Sequence, residues 1–296
     1  MKFFSGSQSE KLTQKVCKNL NVKLSPMEIF VFGDGEKRIK LNDNVVGQDC
    51  VLIKSTGIPT DVNYMELFFI IDALKRSGAK SVTLVIPYLG YSRQDHVFRE
   101  GEDVSLQVII KTLETLGTDK IITLDLHSIK IVEFFKVPIV HLSALELFAK
   151  AIKDFENYVL VSPDMGGIRR VKILSEFLNN APFVTIEKDR DLKTADVTMN
   201  KLNGEVKGKL AIIVDDILSS GKTLKMAADL LIENKATGVY SFTTHAVLAD
   251  GAADTLQASQ IKKVFVTDTI EIPREKHFPK LEIISVANLI TRALRG

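Results

Sequence analysis

Two adjacent carboxylates, Asp215 and Asp216, follow a β-branched apolar run at residues 210–214. After them come the small residues Ser219, Ser220 and Gly221, then Lys222 and Thr223. Leu224, Ala227, Ala228 and Leu231 recur three and four apart, which predicts a helix beginning after Thr223. A buried strand, an acidic pair, a tight turn and a helix start make a cradle for phosphate, because turn amides and the positive helix end face an anion. The carboxylates beside it can accept hydrogen bonds from sugar hydroxyls or hold a cation. Gly221, Lys222 and Thr223 invite a nucleotide P-loop, but that motif needs glycine five positions earlier, where Asp216 stands, so that reading fails. The bland alternative is an ordinary turn bearing two solvated aspartates.

Other chemistry-bearing residues follow the same rule of position. Asp34 and Glu36 come after a strand-like run at 28–32, and Arg93, Gln94 and Asp95 after one at 81–87. His127 follows the run at 120–124, and Asp164 the run at 158–161, with Gly166 and Gly167 just beyond. In open parallel sheets, ligands bind outside the carboxyl ends of strands. One such residue is usually a cap or turn former; so many, spread over two similar halves, favour a shared site.

The elements that must position them alternate between strand and helix patterns, which predicts an α/β protein with mostly parallel sheets. Further strands are expected at 50–55, 183–187, 239–247, 263–267 and 283–285. Helices are expected at 63–77, 104–116, 142–155, from 168, after 223 to 234, and at 287–294. Residues 188–203 are polar, with few core candidates, and are expected to form a mobile surface loop. Near residue 142 the pattern starts again, giving two domains: 1–143, joined by the terminal helix 286–296, and 144–285.

A length of 296 residues accommodates these, and 45% hydrophobic residues suffice for a substantial core. Net charge is only +2, which argues against a general nucleic-acid surface. Cys17 and Cys50 lack metal-ligand spacing and read as reduced structural thiols. The apolar start is too short for a signal peptide and no run approaches a membrane span, so a soluble cytoplasmic protein is expected.

The central stretch resembles the phosphoribosyl-diphosphate (PRPP) signature of phosphoribosyltransferase folds. Over nearly its whole length the chain resembles the ribose-phosphate diphosphokinase (PRPP synthetase) family. The matching segments are Phe4-Ser5-Gly6, Phe32-Gly33-Asp34-Gly35-Glu36, Met65-Glu66-Leu67 and Asp72-Ala73-Leu74-Lys75-Arg76. Then come Pro87-Tyr88-Leu89-Gly90-Tyr91-Ser92-Arg93-Gln94-Asp95, Asp125-Leu126-His127 and Val161-Ser162-Pro163-Asp164-Met165-Gly166-Gly167. Lys188-Asp189-Arg190, the central loop and Thr244-His245 complete the order. The short chain is similar in length to compact archaeal-type members.

The resemblance implies two phosphoribosyltransferase-type domains, an active site at their junction, and Mg²⁺, ATP and ribose 5-phosphate as ligands. The sugar's anomeric hydroxyl would attack the β-phosphorus of ATP, giving PRPP and AMP. By the same resemblance, His127 and Asp164 hold Mg²⁺, although an imidazole is an unusual ligand for so hard a cation. Asp215 and Asp216 bind the ribose hydroxyls, and Ser219, Ser220, Gly221, Lys222 and Thr223 hold the 5-phosphate. Lys188, Arg190 and His127 serve catalysis, the first two by neutralising the transferring diphosphate. Phe32 stacks on adenine, Asp34 and Glu36 contact its edge, and Arg93, Gln94 and Asp95 complete the ATP pocket. In the family the Phe32 segment comes from a neighbouring subunit, so a homo-oligomer (dimer or hexamer) is implied, with no nucleic-acid or membrane partner. By spacing alone, Phe32 also reads as core, His127 as a capped strand end, and Lys188 with Arg190 as a solvated charge run.

One position departs from the pattern: Lys222 stands where glycine is customary. It raises the alternative of a larger acceptor such as ADP-ribose. Two further readings are a phosphoribosyltransferase that consumes PRPP and a non-catalytic regulatory paralogue. The first leaves the Phe32 and Arg93 motifs unexplained; the second conflicts with the full set of site residues.

Overall fold

The structure is a computed structural model that describes residues 1–190 and 197–296, without the side chains of residues 188–200. Two compact units form: one from Met1–Leu142, Thr269–Glu271 and Ser285–Gly296, the other from Ser143–Asp268 and Ile272–Ile284.

The first unit begins with strand β1 (Lys2–Ser5) and helix α1 (Glu10–Leu20). Strands β2 (Met27–Val31) and β3 (Lys37–Leu41) follow, then β4 (Asp49–Ile53), α2 (Thr60–Arg76), β5 (Ser81–Ile86), α3 (Ser105–Thr115), β6 (Lys120–Leu124) and β7 (Ile139–Leu142). Among the described residues its main sheet runs β1-β4-β5-β6-β7, all parallel. Residues 50–53 of β4 are buried without alternation, as in a parallel strand covered on both faces. Leu67, Ile71 and Leu74 of α2 and Leu106, Ile110 and Leu113 of α3, spaced three and four apart, join Leu52, Leu84 and Ile121 in one core. Each fully buried Leu or Ile contributes about 1.5–3 kcal/mol relative to exposure.

Strands β2 and β3 stand apart as an antiparallel hairpin with Ile29 opposite Ile39. Residues 28–32 were expected to be a strand of a parallel sheet with Asp34 and Glu36 at its carboxyl end; the strand forms, but it pairs locally and antiparallel. The reason is the Gly33-Asp34-Gly35 loop, which lets the chain reverse: Gly35 is left-handed (φ 91°), and its N–H donates to the Phe32 carbonyl at 2.9 Å.

The second unit contains α4 (Leu145–Ile152), β8 (Tyr158–Ser162), α5 (Ile168–Phe177), β9 (Phe183–Arg190), β10 (Val197–Asn203) and β11 (Leu210–Leu218). It continues through α6 (Lys222–Glu233), β12 (Gly238–Ala246), α7 (Ala252–Gln257), β13 (Ile261–Thr267) and β14 (Leu281–Ile284). The described strands form a sheet in the order β10-β9-β8-β11-β12-β13-β14, antiparallel only between β10 and β9. Its buried strands Val159, Val161, Ile213 and Val264 pack under Leu224, Ala228 and Leu231 of α6. Phe148 of α4 and Leu174 of α5 pack with Leu160, Ile212 and Phe242. The chain ends in α8 (Ala287–Arg295), part of the first unit, where Asn19 of α1 donates to Asn288 at 2.9 Å.

The expected loop at 188–203 is corrected at both ends, its middle at 191–196 lying outside the described residues: β9 runs to Arg190 and β10 starts at Val197, paired from Val197↔Arg190 to Asn203↔Thr185. Leu202 packs on the core, and Asn203 donates to Glu187 at 2.7 Å. A ribbon at the sheet's edge needs little apolar sequence, so its polarity hid it.

Candidate active site

In the second unit, β11 passes through the acidic pair rather than stopping before it. Its pairing with β8 ends at Ile213, while that with β12 continues through Asp215↔Thr243 to Leu218↔Ala246. The carboxylates therefore sit where one neighbouring strand has ended and the other has not. Asp215 Oδ1 accepts the Asp216 N–H at 2.9 Å. Arg170, in the first turn of α5, spans both: Nη1 lies 3.5 Å from Asp215 Oδ1, and Nη2 3.2 Å from Asp216 Oδ2. All three side chains are largely buried. Burial first, then the adjacent Asp216 charge, pushes Asp215 up to about 8, with Arg170 opposing both.

Beyond the pair, Gly221 adopts a left-handed conformation (φ 75°) and starts α6 at Lys222, two residues earlier than expected. The Lys222 N–H reaches Ser220 Oγ at a long 3.5 Å. The first amides of any α-helix have no intrahelical acceptor, so this N-terminus is suited to an anion. Lys222 and Ser220 are exposed, while Ser219 and Thr223 are half-buried.

Asp164 follows β8 in the same unit, half-buried, its Oδ1 accepting the Gly167 N–H at 3.0 Å. A Cβ on Gly167 would stand 2.7 Å from Ser162 Oγ, so a side chain there would displace the hydroxyl that donates to the Asp164 carbonyl. Lys188 and Arg190 lie in β9, and their side chains are outside the described residues.

In the first unit, the hairpin carries Phe32 40% exposed, which removes the core-packing reading. Phe32 meets Phe30 edge-on at 4.8 Å between ring centres, and the Arg38 guanidinium lies 5.3 and 5.6 Å from the two rings. That cation–π platform is solvent-facing and suited to a planar base. Phe30 and Arg38 were not singled out from the sequence. Asp34 Oδ1 accepts the Glu36 N–H at 3.1 Å, so Asp34 also shapes the turn.

Arg93 and Gln94 are exposed on the loop after β5, whose start is held by Tyr64 donating to the Gly90 carbonyl at 2.7 Å. Asp95 pairs with His96 at 2.6 Å. His127 is exposed after β6, beyond a segment held by two bonds: Asp125 N–H to the Leu142 carbonyl at 2.9 Å, and Leu126 N–H to His141 Nε2 at 3.0 Å.

No group of three or more His, Cys, Asp or Glu side chains suited to a metal occurs among the described residues. Mg²⁺ is commonly held by one or two carboxylates plus substrate phosphates. The half-buried Asp164 carboxylate, a hard oxygen donor on a glycine-bounded turn, fits that use.

Arg170, like Phe30 and Arg38, is a site residue that sequence reasoning missed. The available signal was a basic pair, Arg169 and Arg170, in a helix's first turn, where the dipole disfavours cations.

A family model described as the N-terminal domain of ribose phosphate pyrophosphokinase matches residues 1–117, and a phosphoribosyl synthetase-associated domain matches 184–296. The chain is 38% identical to the ribose-phosphate pyrophosphokinase of Bacillus cereus over 99% of this chain and 93% of that one. It is 37% identical to the Bacillus subtilis protein of that name, with the same coverage. The crystal structure of phosphoribosylpyrophosphate synthetase from Mycobacterium smegmatis matches with a TM-score of 0.92 at 33% identity, covering 99% of this chain and 97% of that chain.

Proposed function

Because the chain belongs to the ribose-phosphate pyrophosphokinase family, we propose that it transfers the β,γ-diphosphoryl group of ATP to the anomeric hydroxyl of ribose 5-phosphate. The products are PRPP and AMP. The observation that carries this reading in the structure is the buried acidic pair set before the left-handed Gly221 that opens α6.

The assignments follow from chemistry and the family resemblance. The Asp215 and Asp216 oxygens accept hydrogen bonds from the ribose 2- and 3-hydroxyls. Ser219, Ser220, Gly221, Lys222 and Thr223 hold the 5-phosphate at the helix start. Phe32, with Phe30 and Arg38 beside it, stacks on adenine; Asp34, Glu36, Arg93, Gln94 and Asp95 complete the nucleotide contacts. The anomeric oxygen bonds to the β-phosphorus, the bond from that phosphorus to the α,β-bridging oxygen breaks, and AMP leaves. Lys188 and Arg190 neutralise charge on the transferring group, which is the main demand in phosphoryl transfer. Asp164, with His127, would hold Mg²⁺, which when bound screens phosphate charge and orients the chain of phosphates.

By the same resemblance, the enzyme works as a homo-oligomer in which a neighbouring subunit's hairpin supplies Phe32. It acts in the cytoplasm; no described helix is long and apolar enough to cross a membrane. The larger-acceptor and non-catalytic readings are not favoured, since relatives matched over nearly their whole length carry the pyrophosphokinase name. Product identification after mixing protein, Mg²⁺, ATP and ribose 5-phosphate tests the proposal: PRPP and AMP in equal amounts support it, and ADP or no product overturns it.

A further inference from the structure

Three charged side chains meet within the first unit. Glu66 on α2 is completely buried, and so is Lys54, just past β4. Lys54 Nζ lies 2.9 Å from Glu66 Oε1 and 2.8 Å from Asn63 Oδ1, and it also donates to the Ser7 carbonyl at 3.2 Å. The Ser7 N–H and hydroxyl both donate to Glu66 Oε1 at 2.8 Å. Glu66 is thus compensated without further help. Yet Lys37, the first residue of β3, also reaches it, with Nζ 2.5 Å from Oε2 and its side chain only 13% exposed.

A second cation on a satisfied carboxylate is not a device for stability, because desolvating a charge offsets most of what the pair returns. Its place in the hairpin suggests another use. The register sets Met27 opposite Leu41, Ile29 opposite Ile39 and Val31 opposite Lys37. Met27, Ile39 and Leu41 pack on the core, but Val31 at the tip is 55% exposed. The base of the hairpin is therefore held by apolar contact, and its tip by Lys37. The next residue, Arg38, faces outward over Phe30 and Phe32.

We propose that Lys37, Glu66 and Lys54 form a buried anchor that sets the pose of the hairpin tip, making Lys37 and Glu66 positioning residues for the nucleotide. This rests on the functional reading above, in which Phe32 meets adenine. An ion pair of fixed reach suits the task better than an apolar contact, which is non-directional. Burial pushes Glu66 upward, but Lys54, Lys37 and Ser7 together outweigh it and hold the carboxyl at about 2, so it stays ionised at any working pH.

Lys37→Met tests the anchor, because it leaves Glu66 paired one-to-one with Lys54 and the fold intact. The KM for ATP should rise roughly tenfold or more, as for a misplaced binding group. The KM for ribose 5-phosphate should stay unchanged, Lys37→Arg should restore the ATP constant, and amide exchange should quicken in residues 31–37. A Lys37→Met enzyme with wild-type ATP KM, or one with both KM values raised equally, overturns the anchor while leaving the reaction standing. Wild-type protein that makes no PRPP overturns the functional reading itself and, with it, this role for Lys37.

Discussion

The Arg170 guanidinium lies 3.2 Å from the Asp216 carboxylate, and its other amino group reaches Asp215. Two buried carboxylates side by side repel, and one guanidinium spanning both offsets part of that repulsion, although Asp215 still stays raised. Arg170→Leu removes it and leaves uncompensated buried charge, so stability at pH 8 should fall by about 3 kcal/mol. At pH 5 the loss should shrink, because the pair can then take up a proton. Urea titrations at both values check this; an identical loss at each would show that Arg170 acts through packing alone.

Asp215 makes a separate prediction for the wild-type protein. Its carboxyl is pushed to about 8 in the fold, against about 3.9 in an unfolded chain. Between those values the folded state holds a proton that the unfolded state has released, so the contribution is full at low pH and is lost as pH rises towards 8. Unfolding free energy of the wild type should therefore decline more steeply from pH 5 to pH 8 than that of Asp215→Asn. Parallel pH profiles for the two proteins would remove Asp215 as the titrating group.

How much of this could be read from the chain depended on where each interaction partner lay. The buried parallel strands announce themselves through unbroken β-branched runs such as residues 210–214, and the α/β class follows. The continuation of β11 through Asp215 was hidden, because it depends on β12 offering a partner beyond the point where β8 stops. Strand β3 alternates, but a lysine occupies an inward position, and its meaning lies with Glu66, 29 residues away. The Arg170 contact with Asp215 spans 45 residues. Local spacing exposes turns, helix starts and strand ends; it does not expose charge pairs assembled by the fold.

His127 and Asp164 give the most direct test of the catalytic assignment. His127 is exposed and Asp164 half-buried, each on a turn rather than inside a core, and Asp164 takes one turn N–H, so alanine should leave the fold intact. Turnover should fall by about 10²–10³-fold for each, as when a well-placed stabilising group is lost. Steady-state PRPP formation, alongside thermal melts that match the wild type, provides the check. Either variant folded and running at the wild-type rate would take that residue out of the mechanism.

Lys222 joins stability and function in opposite senses. It is exposed in the first turn of α6, where a cation opposes the helix dipole. Removing it as Lys222→Ala should therefore stabilise the protein by about 0.3–1 kcal/mol. If the side chain instead faces the sugar 5-phosphate, the same change should raise the KM for ribose 5-phosphate several-fold and leave the KM for ATP unchanged. Acceptor choice belongs to the same experiment: wild-type protein should release AMP with ribose 5-phosphate and not with ADP-ribose. A variant more stable than wild type yet equally avid for ribose 5-phosphate would mean that Lys222 is a solvent-facing helix residue and that the turn's amides bind the phosphate without it.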